Sequence, residues 1–186
     1  MNLISQIEPI VVLSEQAKDF IKKRIKTFQF KKGEMVLEQN KTCNFLYLIT
    51  SGMLRGYYYS NDKEVTNWLA IENEFCTSFF SFLSNASSYE RIEAIENTEV
   101  EAIHKDDLEL LYKTFPETER VGRVILEQYY MRLEERVVYI QFKSAKERYE
   151  HFFSKRTELI KRAPLGCIAS YLGITQETLS RIRAEK

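Results

Sequence analysis

Cysteine, histidine, proline and glycine are all scarce in these 186 residues, at three, two, three and six copies. Cys43, Cys76 and Cys167 lie far apart, without a CxxC pair or a histidine at ligand spacing. An odd, scattered set argues against a disulfide framework, a zinc site and an iron–sulfur cluster. Reduced thiols in a cytoplasmic protein are expected. No stretch approaches the ~20 consecutive apolar residues of a membrane span. Residues 1–12 carry neither a basic leader nor a small-residue cleavage site, so no signal peptide is read. Net charge is also lacking, with 27 basic and 27 acidic side chains. What remains is 44% hydrophobic and 29% charged, a globular composition. At roughly 100–200 residues per domain, it makes one domain or two small ones.

The neutral total hides an asymmetry. Residues 144–186 hold nine basic and five acidic side chains, which leaves the preceding residues with a matching acidic excess. A basic tail on an acidic body suggests a polyanionic partner for the tail.

Along the chain, residues 14–26 read as a helix capped by Ser14, with Phe20, Ile21 and Ile25 on its apolar face. From Thr27 to about His104, short β-branched and aromatic runs alternate with turn residues. Met35 to Leu37, Phe45 to Ile49, Leu54 to Tyr59, Val65 to Ala70 and Val100 to Ile103 are the strands expected. Lys32-Gly33, Ser51-Gly52 and Asn61-Asp62 punctuate them, as in an antiparallel sandwich or roll. Phe75 to Leu83 reads as a short helix or a loop, and Asp106 to Tyr112 as a short helix.

Pro116 opens a long helix running to about Gln141. It carries two apolar seams at the 3.5-residue spacing of a coiled coil. One passes through Val121, Val124, Gln128, Met131, Glu135, Val138 and Phe142, the other through Leu126, Tyr130, Leu133, Val137 and Ile140. One face can pack on the β domain, and the second then requires another copy of the chain or burial within the monomer. The dimer is preferred, with Val121, Val124, Gln128, Met131 and Val138 at its interface. Ser144-x-x-Glu147 spells a capping box that starts a further helix reaching about Ile160.

Ala163 to Arg183 reads as helix, tight turn, helix. Gly173 ends the first helix, Ile174 plugs the space between the two, and Thr175 caps the second. Leu179 and Ile182 face inward, which leaves Gln176, Glu177, Ser180, Arg181 and Arg183 outward. A DNA-reading helix-turn-helix has this arrangement, its second helix entering the major groove. Gln176, Glu177 and Arg181 are of the types that read bases, and Thr178, Ser180 and Arg183 suit phosphate contacts.

The chain resembles the Crp/Fnr family of bacterial transcription regulators, in particular the small members found in Bacteroidetes-type bacteria. Lys32-Gly33-Glu34 and Tyr47-Leu48-Ile49-x-Ser51-Gly52-x-Leu54-Arg55 are similar to the strands of the family's cyclic-nucleotide-binding-type β-roll. Pro116 to Gln141 resembles its dimerisation helix. Ile168-Ala169-Ser170-Tyr171-Leu172-Gly173-Ile174-Thr175-x-Glu177-Thr178-Leu179-Ser180-Arg181 is similar to its signature helix-turn-helix. The resemblance implies an α+β protein. Residues 1–115 would form an antiparallel β-roll (a double-stranded β-helix), 116–143 a dimerisation helix and hinge, and 144–186 a helix-turn-helix domain. It also implies a homodimer on inverted-repeat double-stranded DNA, with RNA polymerase as a further partner.

The departures concern the effector. Cyclic-AMP binders of the family carry a Gly-Glu pair for the ribose and an Arg-Ser/Thr pair for the cyclic phosphate. This chain reads Asn73-Glu74 and Ser87-Ser88-Tyr89-Glu90, with Arg91 nearby but out of phase. A one-residue slip in a strand reverses the side-chain face. Where the binders' long helix offers an adjacent Thr-Ser, this one reads Leu133-Glu134. Cyclic AMP, haem and an iron–sulfur cluster are therefore disfavoured and no cofactor is assigned. His104 is expected to end a strand, and His151 to face solvent or the helix packing. A possible effector pocket comprises Trp68, Glu74, Phe75, Ser78, Phe79, Tyr89 and Arg91, and the same aromatic segment could equally be filled core. Glu72, Glu74 and Glu90 are expected in solvated or loop-bonding roles. An enzyme is disfavoured, since no catalytic set or phosphate-cradling glycine loop is visible. The alternative to a DNA-binding regulator is a sensor or protein-interaction module whose tail does not read DNA.

Overall fold

The computed structural model describes residues 2–185. Two four-stranded antiparallel sheets face each other. The strands are β1 (Lys26–Phe30), β2 (Met35–Leu37), β3 (Phe45–Ser51), β4 (Met53–Ser60), β5 (Lys63–Ile71), β6 (Phe75–Cys76), β7 (Arg91–Ala94) and β8 (Thr98–His104). One sheet runs β1-β8-β3-β6 and the other β2-β7-β4-β5. The five strands expected from the sequence are present. β1, β6 and β7 were not anticipated, and two of them are only two and four residues long.

Turn chemistry sets the register. Asn61 and Asp62 both adopt positive φ, the requirement of a two-residue hairpin, and pair Ser60 with Lys63. Gly52 links β3 to β4 at φ +96°, where an added Cβ would lie 2.5 Å from the Thr98 hydroxyl. The pleat then distributes β3 between two cores. Tyr47 and Ile49 point into the roll with Leu54, Ile92, Val100 and Ala102, whereas Leu46 and Leu48 point outward. That explains the unbroken apolar run of Phe45 to Ile49, a strand buried on both faces.

Helices cover the outward side of β3. They are α1 (Leu3–Ile7), α2 (Glu15–Arg24), α4 (Lys105–Thr114) and the start of α5 (Glu119–Phe142), and α3 (Phe79–Ser84) lies beside them. Ser14 caps α2 by accepting the Ala17 N–H, as the sequence suggested. The unanticipated α1 is a single capped turn, closed reciprocally by Asn2 and Ser5. Pro116 sits in a 3-10 turn, Pro116–Thr118, that leads into α5. The Ser144/Glu147 capping box forms as expected. The helix after it does not reach Ile160, however. It breaks at Arg156, where φ −133° and ψ 42° leave helical space, so two helices, α6 (Ala145–Lys155) and α7 (Thr157–Arg162), replace one. The last two helices are α8 (Leu165–Leu172) and α9 (Gln176–Ala184).

The long helix corrects one assignment. Val121 is 5% exposed and packs with Leu3, Ile7 and Leu111, so it belongs to the intramolecular core. Val124 is half-buried, while Gln128, Met131 and Val138 stay exposed. The other seam is exposed throughout: Leu126, Tyr130, Leu133, Val137 and Ile140 all lie on the surface. The helix meets the rest of the chain instead through Ile125, Tyr129, Arg132, Arg136 and Tyr139, at successive four- and three-residue steps.

Candidate nucleic-acid interface and effector cavity

Helices α8 and α9 are joined by Gly173, Ile174 and Thr175. Gly173 takes φ +66°, and its N–H and that of Ile174 close the end of α8 on the Ser170 and Ala169 carbonyls. Thr175 Oγ1 accepts the Thr178 N–H at 3.2 Å and starts α9. Ile168, Ala169, Leu172, Leu179 and Ile182 are buried in one cluster, completed by Tyr149, Phe152 and Leu159. Burying Leu179 and Ile168 contributes roughly 1.5–3 kcal/mol each, which fixes the rotation of α9. Its opposite side presents Gln176, Glu177, Ser180 and Arg181 in one exposed set.

Two residues assigned to phosphate depart from that set. Arg183 turns inward, its guanidinium 5.9 Å from the Tyr149 ring centre, because position 183 borders the face that packs on α6. Thr178 is half-buried, and its hydroxyl lies 3.1 Å from that of Thr175 within the cap. Ser180 keeps an exposed side chain.

The basic tail has partners in its own chain. Arg162 forms a bidentate pair with Glu72 at 2.8 Å and reaches Glu96 as well. Arg156 pairs with Glu74 at 2.7 Å. The Glu72 carboxyl falls to about 2, chiefly through the Arg162 hydrogen bonds. Ser170 on α8 accepts the Thr66 N–H at 2.9 Å and donates to the Glu64 carbonyl, which ties α8 to the edge strand β5. Part of the excess positive charge thus faces the acidic body. Of its partners, Glu72 also accepts the N–H of Gly52 in the β3–β4 turn, and Glu74 the N–H of Ile71 at the end of β5.

The residues assigned to an effector pocket do not come together in one site. Trp68, Phe75 and Phe79 meet at a cavity of about 80 Å³, together with Tyr129, Arg132 and Arg136 of α5. Glu74 turns away toward Arg132 and Arg156. Ser78 is buried against Ser88, and Tyr89 is exposed, its ring tilted against that of Phe80. Arg91 lies on the outer face of β7, beside Glu38 at 3.5 Å and over the Tyr59 ring, while Ile92 and Ala94 face the roll interior.

Glu90 departs from the solvated or loop-bonding role expected of it. It is 4% exposed, and its carboxylate accepts hydrogen bonds from Trp68 Nε1 and Asn67 Nδ2, both at 3.2 Å. Burial pushes its pKa up, against these hydrogen bonds. Asn67 is free to serve because a bulge falls there: Gly56 pairs with Trp68, and Tyr57 with Thr66. Its Oδ1 in turn accepts from Arg136 at 3.1 Å. The Trp68 ring lies against Gly56, where a Cβ would come within 2.2 Å of it. The sequence signals for this arrangement are slight, a glycine in mid-strand and an acid beside a serine pair. His104 ends β8 and its Nδ1 accepts from the Asp106 N–H, while His151 stacks on Tyr139. Cys43, Cys76 and Cys167 are buried free thiols. Among the described residues no helix is long and apolar enough to cross a membrane.

Comparison with known proteins places the roll. Residues 27–115, the stretch that holds most of the β-roll, match the cyclic nucleotide-binding domain. No curated protein sequence matches the chain. Among solved structures, the chain is similar to FixK2 from Bradyrhizobium japonicum, at 20% identity and a TM-score of 0.75 over 87% of this chain and 83% of that one. It is similar to a protein from Eubacterium rectale assigned to the Crp/Fnr family of transcriptional regulators, at 22% identity and 0.72 over 93% and 83%. CLP, a c-di-GMP-responsive global regulator of Xanthomonas campestris, gives 16% and 0.70 over 92% and 91%. These likenesses establish the fold, which extends through the C-terminal helices.

Proposed function

We propose that the chain is a sequence-specific DNA-binding transcription regulator of the Crp/Fnr type, that it acts as a homodimer, and that it does not respond to cyclic AMP. One observation carries the DNA-reading part: Gln176, Glu177, Ser180 and Arg181 stand together on the exposed side of a capped helix whose other side is buried. Arginine reads guanine O6 and N7 bidentately, and glutamate accepts from cytosine N4. In a selection from randomised duplexes, the wild type should enrich an inverted repeat. Arg181→Ala should cost about 1–3 kcal/mol and relax preference at one base pair. Unchanged site selection by that variant would overturn the assigned face.

The dimer rests on α5. Its exposed apolar row needs cover, and a second α5 supplies it with coiled-coil spacing. Glutamate at both Tyr130 and Val137 places like charges in that seam and should yield monomers by sedimentation, with the β signal retained by circular dichroism. RNA polymerase as a partner follows from the same family reading.

The effector reading rests on charge. A cyclic phosphate leaving water needs charge-assisted hydrogen bonds, best from arginine. The roll interior presents a buried acid, Glu90, and Arg91 lies on the outer face. A cavity of about 80 Å³ beside Trp68 is also small, since ligand pockets span about 300–1,000 Å³. Calorimetry with cyclic AMP should give no saturable heat; a micromolar dissociation constant abolished by Arg91→Ala would overturn this reading.

A further inference from the structure

We propose that the cleft between α5 and helices α6 and α8 is a binding site for a small phosphorylated polyanion. It measures about 360 Å³, within the range of small-molecule sites, and adjoins the smaller roll cavity. Arg132 and Arg136 enter it from α5, and Arg148, Lys155 and Arg156 enter it from α6 and its end. Among the described residues, two carboxylates, Glu74 and Glu135, line the same space.

The internal pairings leave charge over. Glu74 is shared by Arg132 at 3.3 Å and Arg156 at 2.7 Å. Glu135 takes Lys155 at 3.0 Å and lies 2.9 Å from His151 Nε2. Arg136 and Arg148 meet neutral acceptors alone among the described residues. Arg136 donates to the Thr66 carbonyl and to Asn67 Oδ1, and Arg148 to the Ile140 carbonyl. Like charges crowded into a half-buried space repel more strongly than in open water. A ligand with two or more negative charges relieves that repulsion. Guanidinium forks match phosphate oxygens bidentately, which favours phosphate over a single carboxylate. Tyr139 and Tyr171 add aromatic walls, Tyr139 stacked on His151 and Tyr171 under Arg136. These rings can hold a planar base.

The placement has a consequence for the C-terminal helices. Arg156 is one of their links to the β domain, and a phosphate bound there competes with Glu74. The ligand would then bear on how α6 to α9 sit against the roll. This site goes beyond the DNA-binding reading and stands or falls without it, because binding is measured on the protein alone.

The test is calorimetric titration of the full chain at ~0.15 M salt, with inorganic pyrophosphate, ADP and sulfate as probes. Saturable binding of pyrophosphate or ADP, tighter than that of sulfate, is expected. Tighter binding of ADP assigns the aromatic walls to a nucleotide base, and equal binding assigns the site to the phosphates. Arg136→Gln and Arg148→Gln should each weaken it about tenfold or more, a loss of about 1.4 kcal/mol. Arg148→Gln guards against misfolding, since its described hydrogen bond is one carbonyl at the end of α5. Arg123→Gln is the control, an arginine on α5 outside the cleft and paired with Glu127. The proposal is overturned by the absence of saturable heat with both phosphates. It is equally overturned by affinity unchanged in both cleft variants, or by an equal loss in the Arg123 control.

Discussion

The interior of the β-roll and the seam beneath the C-terminal helices handle charge in opposite ways. The interior is packed with Leu54, Ile92, Val100 and Ala102, each at 0% exposure, and the buried Glu90 beside it is held by an indole, an amide and neighbouring hydroxyl chemistry. The seam is built from partly buried ion pairs, Arg162 with Glu72 and Glu96, and Arg156 with Glu74. A packed interior admits a charge only with its hydrogen bonds made, because an unpartnered one costs several kcal/mol. A half-solvated seam tolerates exchange of partners, because water compensates what the protein gives up. The roll interior is therefore fixed by packing, whereas the seam can exchange ionic partners.

Truncation should show the largest contrast. Leu54→Ala should destabilise the chain by about 2–5 kcal/mol in urea unfolding, since a fully buried leucine leaves a cavity. A comparable global loss from a seam residue would break the distinction.

A seam variant should act locally. Arg162→Gln leaves Glu72 and Glu96 facing each other, yet these groups are about one-third exposed. The expected cost is about 1 kcal/mol, reduced by solvent screening. Hydrogen exchange should report it as faster exchange in α7 and α8, with β3 and β8 unaffected. Loss of protection in the sheets would place the pair within the global core instead.

The smallest effects are in pH dependence, and their signs are opposite. Glu72 is held at about 2, below the ordinary 4.5, so its contribution is complete above 4.5 and is lost as pH falls toward 2. Glu72→Gln should flatten that acid limb. Glu90 is raised by burial, so its ionisation costs stability at neutral pH, and the cost is relieved as pH falls through its folded value. Glu90→Gln should match or exceed wild-type stability at neutral pH, with the difference shrinking in acid. Urea midpoints measured across pH check both, and the same sign for the two variants would refute the contrast.

Much of the roll was legible because its turns are chemical. Asn61-Asp62, Gly33 and Gly52 are residues that accept positive φ, and that is where the chain reverses. The strands without a clear sequence signal, β1, β6 and β7, are short or polar on one side, and pairing rather than composition creates them. In the candidate interface, the α9 face was readable from period and cap, but the inward turn of Arg183 was not. Position 183 lies at the border of two faces, and the Tyr149 ring on α6 draws its guanidinium in. Of the residues assigned to an effector pocket, Trp68, Phe75 and Phe79 line one cavity, while Tyr89 and Arg91 are carried elsewhere by the pleat of β7 and the loop before it.

By itself, the sequence determined what a few neighbouring residues can settle. The caps at Ser14, Ser144 and Thr175, the glycine end of α8, the hairpin turn and the two apolar seams of α5 all follow from backbone geometry within a turn or two. Only the tertiary structure decided which face of α5 packs on the rest of the chain, why Val121 belongs to the core, and where Arg156 and Arg162 find their acids. Arg156 with Glu74 and Arg162 with Glu72 lie 82 and 90 positions apart. Local propensity is blind to them, because burial and charge pairing depend on what folding brings alongside.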